Sequence, residues 1–253
     1  MTKSPFKDHF SSTAIDYSKF RPDYPPTLFD DLAARAPQRR LAWDCGCGGG
    51  QATRHLARLF DRVVATDPSA AQLSTAPQFP NVTYGTAPAE HAPILQDHSV
   101  DLIIAAQAAH WFDLPRFYGE VRRVAVPGAV LALITYRPTQ IVDPAANRAL
   151  QDFYTTTVGP YWPADRRHVE TGYQSLDFPF PEEPGPEMKI EVRWDLEQLV
   201  GYAGTWSAVK EYRGQCGEDP LPILRQGLAS VWGAPGDKKT IFWPLSYRIT
   251  RLP

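Results

Sequence analysis

Leu41-Ala42-Trp43-Asp44-Cys45-Gly46-Cys47-Gly48-Gly49-Gly50-Gln51 decides how this chain is read: an apolar, strand-like lead ends in an acid and then in a glycine-rich turn. The next stretch, 52–60, predicts a helix with Leu56, Leu59 and Phe60 on one face and Arg54, His55 and Arg58 elsewhere. Strand, tight loop and helix in that order make a nucleotide-type site, because glycines let backbone approach a ligand and a helix start presents free N–H groups. Spacing then narrows the ligand. A dinucleotide fingerprint needs a third glycine where Gln51 stands, and a phosphate loop needs a Lys-Ser or Lys-Thr that is absent after the glycines. Asp44, two residues before Gly46, is placed at the strand's carboxyl end, where its carboxylate can hold a cationic ligand group.

A chain of 253 residues buries one substantial core, so a single α/β domain with an insertion is expected. The formal charge of -2 offers no basic surface for nucleic acid and favours a small-molecule substrate. Three cysteines cannot frame a disulfide scaffold and fit a reducing cytoplasm. Cys45-Gly46-Cys47 reads as small residues filling a turn; no second ligand pair follows, and no metal is expected. The start, Met1-Thr2-Lys3-Ser4-Pro5, lacks the apolar core of a signal peptide, and no run reaches membrane-spanning length, so no membrane partner is expected. Seven tryptophans, most of them beyond residue 110, suggest an aromatic-lined cap over the second half.

Outward from the glycine loop, Arg62-Val63-Val64-Ala65-Thr66-Asp67 is a short strand ending in an acid about twenty residues on, where a carboxylate can accept both ribose hydroxyls of an adenosine. Asp67-Pro68-Ser69 also suits a helix cap, and the loop beside it favours the ribose role. Val82 to Gly85 is a third strand, and Ala89-Glu90 lies on the next loop, where adenine would rest. Val100 to Ala106 is almost wholly apolar, as in a strand covered on both faces, and opens into Gln107-Ala108-Ala109-His110-Trp111-Phe112-Asp113. Ligands of open α/β sheets lie beyond the strands' carboxyl ends, so this loop should face the reacting centre. A helix over 116–124, a turn at Pro127-Gly128 and a fifth strand over 129–135 complete the alternation. Residues 140–187 turn helical and then rich in Tyr, Trp and Pro, a length that calls for a fold over a site. A sixth strand (188–194), helices over 196–212 and 221–232, and a last, antiparallel strand (239–249) follow. The expected architecture is a doubly wound, Rossmann-like α/β sheet of seven strands, mostly parallel, with an aromatic-rich cap insertion. Its parts would be a core with a lid helix (1–139), the cap (140–187) and a closing segment (188–253).

Near the start, Tyr17 and Arg21 share a helical face. Arg21 could pack on the rim and pair with an acid, but a planar guanidinium there also suits a ligand carboxylate.

Asp-x-Gly-x-Gly-x-Gly resembles the first motif of the class I S-adenosylmethionine (SAM) methyltransferases, and the likeness extends beyond it. Phe10, Tyr17, Arg21-Pro22, Tyr24-Pro25, Ala89-Glu90, Ser99 to Leu102, Ala109 to Asp113, Tyr161-Trp162, Thr205 to Ala208 and Trp243 to Leu245 are similar to the small-molecule subgroup that includes trans-aconitate methyltransferase-like proteins. The resemblance implies SAM as cofactor and S-adenosylhomocysteine as its product. Gly46, Gly48 and Gly50, with Cys47, would line the methionine and ribose; Asp44 would organise the amino-acid end. Asp67 and Pro68 would hold the ribose, and Ala89 and Glu90 would flank adenine. Gln107 and Ala108 would border the sulfur, with Tyr17 and Arg21 closing over the carboxylate. Val126-Pro127-Gly128-Ala129 departs from the usual Lys-Pro-Gly-Gly, which touches only a turn.

The acceptor would be a small molecule methylated on oxygen or nitrogen, and the protein a monomer or homodimer. Trp111, Phe112, Tyr136, Tyr154, Trp162 and Trp206 are candidates for a dry acceptor pocket, or else for an ordinary aromatic core. His110 is the candidate general base for a hydroxyl, phenol or amine; a carboxylate acceptor would need none, and the imidazole could instead hold its loop. A SAM-binding protein without transfer activity and a nucleotide-dependent oxidoreductase are the other readings.

Overall fold

A computed structural model describes residues 22–253, so Tyr17 and Arg21 lie outside the described residues. Five parallel strands, β1 (Leu41–Cys45), β2 (Arg62–Asp67), β3 (Val82–Thr86), β4 (Val100–Ala106) and β5 (Ala125–Tyr136), run in the spatial order β3-β2-β1-β4-β5. After them come β6 (Gln140–Ile141), β7 (Lys189–Trp194) and β8 (Lys239–Arg251). The closing half of β8 pairs antiparallel with β5, from Leu245 opposite Tyr136 to Arg251 opposite Val130. Its leading half overhangs β5 and takes both β7 and β6, again antiparallel. This makes an eight-stranded sheet, one strand more than the sequence pattern supplies. β8 is antiparallel as expected but lies inside the sheet, because its residues before Leu245 run past the Tyr136 end of β5 and take β6 and β7 as partners.

The helices are α1 (Pro26–Arg35), α2 (Thr53–Leu56), α3 (Ala70–Leu73), α4 (Leu114–Val124), α5 (Pro144–Asp152), α6 (Arg166–Glu170), α7 (Leu196–Gly204), α8 (Ser207–Cys216) and α9 (Leu221–Trp232). Three expectations change. The helix read over 52–60 is regular only in α2, because Arg58 and Leu59 then donate to carbonyls three residues back, in the tighter turn geometry. The helix read over 196–212 breaks at Trp206, whose backbone is extended (φ -72°, ψ 138°) and whose indole is buried. The turn expected at Pro127-Gly128 is a bulge within β5: Gly128 has φ +79°, and the pairing with β4 slips between Val100 and Leu102.

Alternate residues of β4 feed opposite sides of the sheet. Leu102 and Ile104 join one apolar cluster with Phe29, Leu56, Leu199 and Trp243; Ile103 and Ala105 join the other with Trp43, Phe117 and Tyr118. The 140–187 segment contributes to both: Phe153 and Tyr154 to the first, Val169, Tyr173 and Phe178 to the second. It therefore passes from one face of the sheet to the other.

Asp101, fully buried in β4, accepts the N–H groups of Arg40 (3.1 Å) and Leu41 (3.0 Å) through one oxygen and so sets where β1 begins. Asp101→Ala would leave the buried Leu41 N–H without a partner and is expected to cost about 2 kcal/mol in urea unfolding.

Candidate active site

β1 is buried along its whole length and delivers Asp44 and the glycine loop to the carboxyl edge of the sheet. The N–H groups of Gly46 and Cys47 both donate to the Thr66 carbonyl, at 2.8 and 3.0 Å, which ties the loop to β2. Asp67, ending β2, accepts from Gly48 N–H through Oδ2 (2.9 Å) and from Ser69 N–H through Oδ1 (2.8 Å). Asp67 therefore organises the turn into α3, as the helix-cap reading expects, and sits against the glycine loop. Gly46, Gly48 and Gly50 all take left-handed backbone. At Gly46 the need is also steric, since a β-carbon there would fall 2.6 Å from the Ala108 Cβ and 3.1 Å from Phe112 Cζ.

Asp44 is fully buried. Thr53 donates its hydroxyl to Oδ2 at 2.6 Å, and Oδ1 has no hydrogen-bond partner among the described residues. Burial pushes the carboxyl up to about 7, against the Thr53 hydrogen bond and with the Asp67 charge adding to it. A buried carboxylate oxygen with nothing donating to it suits a cationic ligand group.

The loop after β4 closes the other side. Gln107 adopts φ +57°, and its side-chain oxygen accepts from the Thr135 hydroxyl (2.6 Å) and Tyr136 N–H (3.2 Å). Glu90 accepts Asp113 N–H at 2.6 Å, so the loop expected to flank adenine also holds the end of the His110 loop. Arg123 secures that neighbourhood: it forks onto Glu120, reaches Asp97 and donates to the Ala92 and Leu95 carbonyls. Its hydrogen bonds hold the Glu120 carboxyl below the usual carboxylate range.

His110 is buried, and its Nδ1 lies 2.8 Å from the Tyr173 hydroxyl. Tyr173 is wholly buried in a left-handed conformation (φ +67°). Burial pushes its phenol far up, against the opposing hydrogen bonds of the Thr135 side chain and the His110 and Ala109 backbone, so the phenol stays protonated. Arg248 fixes the backbone beneath it, donating to the Tyr173 and Leu176 carbonyls at 2.9 and 3.1 Å while its other nitrogens fork onto Glu182. Trp111 packs 4.6 Å from the His110 ring.

The other candidate aromatics separate. Tyr154, Trp162 and Trp206 form one group, with ring centroids 4.9, 5.5 and 5.7 Å apart. Tyr136 packs on Tyr24 at 6.2 Å. Phe112, expected to line the acceptor pocket, lies against Gly46, its Cζ 3.1 Å from where a β-carbon there would fall, and packs on Phe117 at 5.0 Å. Thr135, Arg166 and Tyr173 are neighbours of this site that sequence reasoning did not single out. Gly172-Tyr173 carried a signal, a glycine just past a short helix: a β-carbon on Gly172 would fall 2.5 Å from Ser246 Oγ.

Residues 43–133 match the family model of a methyltransferase domain. Over 244 residues the chain is 31% identical to a candidate methyltransferase of Dictyostelium discoideum, covering 95% of this chain and 92% of that protein. A candidate S-adenosylmethionine-dependent methyltransferase of Saccharomyces cerevisiae is 31% identical over 135 residues, 50% of this chain and 46% of the yeast protein. The solved structure of a candidate type II methyltransferase from Anaeromyxobacter dehalogenans is similar with a TM-score of 0.87 at 48% identity, covering 92% of this chain and 99% of that one.

Gly46→Ala is expected to lower stability by about 1 to 3 kcal/mol through left-handed backbone strain, and further through the Ala108 contact. Adding Ala108→Gly should recover only the contact share, which urea unfolding of the single and double variants separates.

Proposed function

The chain belongs to the class I SAM-dependent methyltransferases, and from that premise we propose that it methylates an oxygen or nitrogen atom of a small-molecule acceptor beneath the 140–187 segment. Its cofactor is SAM. The residues present suit it: the unpartnered Asp44 oxygen would receive the ammonium of the methionyl part. The glycine loop would line the methionyl and ribose portions, Asp67 would meet the ribose, and Ala89 and Glu90 would border adenine. One observation carries the reading: the glycine loop and the His110 loop touch at Gly46 and Ala108, which brings cofactor-binding backbone and a buried histidine to a single edge.

When bound, SAM supplies a methyl group already activated by its sulfonium. The chain's own work is then to align the acceptor and keep water out, and alignment can supply roughly 7 to 11 kcal/mol. His110 adds a proton acceptor. The Tyr173 phenol, held by the Thr135 side chain and the His110 and Ala109 backbone, would accept His110 Nδ1–H, so that the second ring nitrogen, Nε2, would take the acceptor's proton. His110→Ala should abolish turnover with S-adenosylhomocysteine affinity unchanged. Tyr173→Phe should lower kcat by about tenfold to a hundredfold and move the acidic limb of its pH profile, at unchanged cofactor affinity. Unaltered kcat in both variants would remove His110 from the chemistry.

Asp44 gives a separate test. A ligand ammonium beside it favours the carboxylate, so binding below pH 7 must expel the proton that burial retains. Affinity for S-adenosylhomocysteine should therefore rise with pH by up to about tenfold per unit below 7 and level off above it. Calorimetry should show that slope flattened in Asp44→Asn, and the same titration with NAD should give no binding.

A further inference from the structure

We infer that the cap holds an oxyanion subsite for the acceptor, in which the terminal nitrogens of Arg166 grip a carboxylate or phosphate oxygen pair remote from the methylated atom. The inference rests on the methyltransferase reading and names a chemical class for its acceptor. Arg166 opens α6, and its guanidinium lies 4.4 Å over the Trp162 ring and 5.6 Å from the Tyr154 ring. Its Nε donates to the Tyr154 hydroxyl at 2.9 Å. That hydroxyl donates in turn to Glu170 at 2.6 Å, so the carboxylate one helical turn beyond Arg166 is engaged by the phenol. The guanidinium plane is thus fixed by a stacked indole and one hydrogen bond. Among the described residues no carboxylate lies within salt-bridge distance of it, and Nη1 and Nη2 have no hydrogen-bond partner.

Other oriented arginines of the fold differ. Arg248 commits Nε, Nη1 and Nη2 to Glu182 and two carbonyls, and Arg123 commits its fork to Glu120. Those arrangements hold backbone in place. Arg166 holds none, although ordering a long cationic side chain against aromatic rings costs rotamer entropy. A planar fork pinned on one edge and open on the other matches the two-oxygen face of a carboxylate or phosphate.

Its location fits an acceptor site. Trp162 and Tyr154 both pack on Trp206, the residue at the break between α7 and α8. The turn leaving α6 leads to Tyr173, whose N–H donates to the His168 carbonyl at 2.7 Å and whose hydroxyl meets His110. The Arg166 charge also acts on that hydroxyl, as the smallest of the influences on it.

The test uses the whole chain loaded with S-adenosylhomocysteine and follows tryptophan fluorescence and calorimetric heat. Probes are aliphatic and aromatic carboxylates, each paired with its neutral amide, and phosphate monoesters paired with the parent alcohols. At least one charged probe is expected to bind the wild type about tenfold or more tightly than its neutral partner. Arg166→Gln should erase that ratio, and Arg166→Lys, which keeps the charge and loses the fork, should retain part of it. Cofactor affinity and melting temperature should stay unchanged in Arg166→Lys, which guards against a folding defect in the glutamine variant. The carboxylate and phosphate arms identify which oxyanion is meant. Equal binding of charged and neutral probes by a wild type that binds S-adenosylhomocysteine would overturn this inference alone, as would a ratio that survives Arg166→Gln. Failure of the wild type to bind S-adenosylhomocysteine would instead overturn the reading beneath it.

Discussion

The whole site depends on a steric constraint, the approach of Gly46 to Ala108. With 2.6 Å between a hypothetical β-carbon and a real one, the ends of β1 and β4 can meet only if the first carries a glycine and the second a small residue. Closeness there sets what each neighbouring loop can do. Asp44 is sealed in below, the Phe112 ring lies beside the contact, and the loop bearing His110 is held from its far end by Glu90. Packing at this contact joins these two adjacent strand ends into one wall of the candidate site.

Polar groups were placed by a different logic. Several carboxylates near the site work as fasteners for backbone: Asp67 for the glycine loop, Glu90 for the His110 loop, Asp101 for the start of β1. Each satisfies N–H groups that a loop would otherwise bury without partners. Asp44 lies at the carboxyl edge beside the glycine loop, and one of its oxygens, like Oδ1 of Asp101, meets no hydrogen-bond donor among the described residues. An acid kept in that condition is costly, which is why its proton affinity rises, and costs of this kind collect where a ligand completes the arrangement.

Strands β1, β2, β4 and β5 were legible in the sequence because a strand covered on both sides has few places for a charge, and Val100 to Ala106 carries only Asp101, one oxygen of which takes two backbone N–H groups. The glycine spacing and the acids ending β1 and β2 likewise exclude other ligands on local grounds. What could not be read locally depends on contacts between distant segments. Periodicity continues through Trp206, and only the aromatic group around Tyr154 and Trp162 explains why the backbone opens there. Tyr173 is one tyrosine among eleven until Arg248 and Gly172 set its backbone. Phe112 and Trp111 are neighbours in sequence with opposite fates, one against Gly46 and the other beside His110.

β8 carries a consequence for how the molecule holds together. One continuous strand pairs with β5 through its second half and with β6 and β7, which flank the 142–188 segment, through its first. That segment and the parallel strands therefore share a ladder of backbone hydrogen bonds and should lose structure together. Excising the segment along with its flanking strands would strip the leading half of β8 of its partners. The bare, apolar edge so created, which includes Ile241 and Trp243, would invite other chains to pair along it, so evolution can reshape the segment more readily than it can delete it.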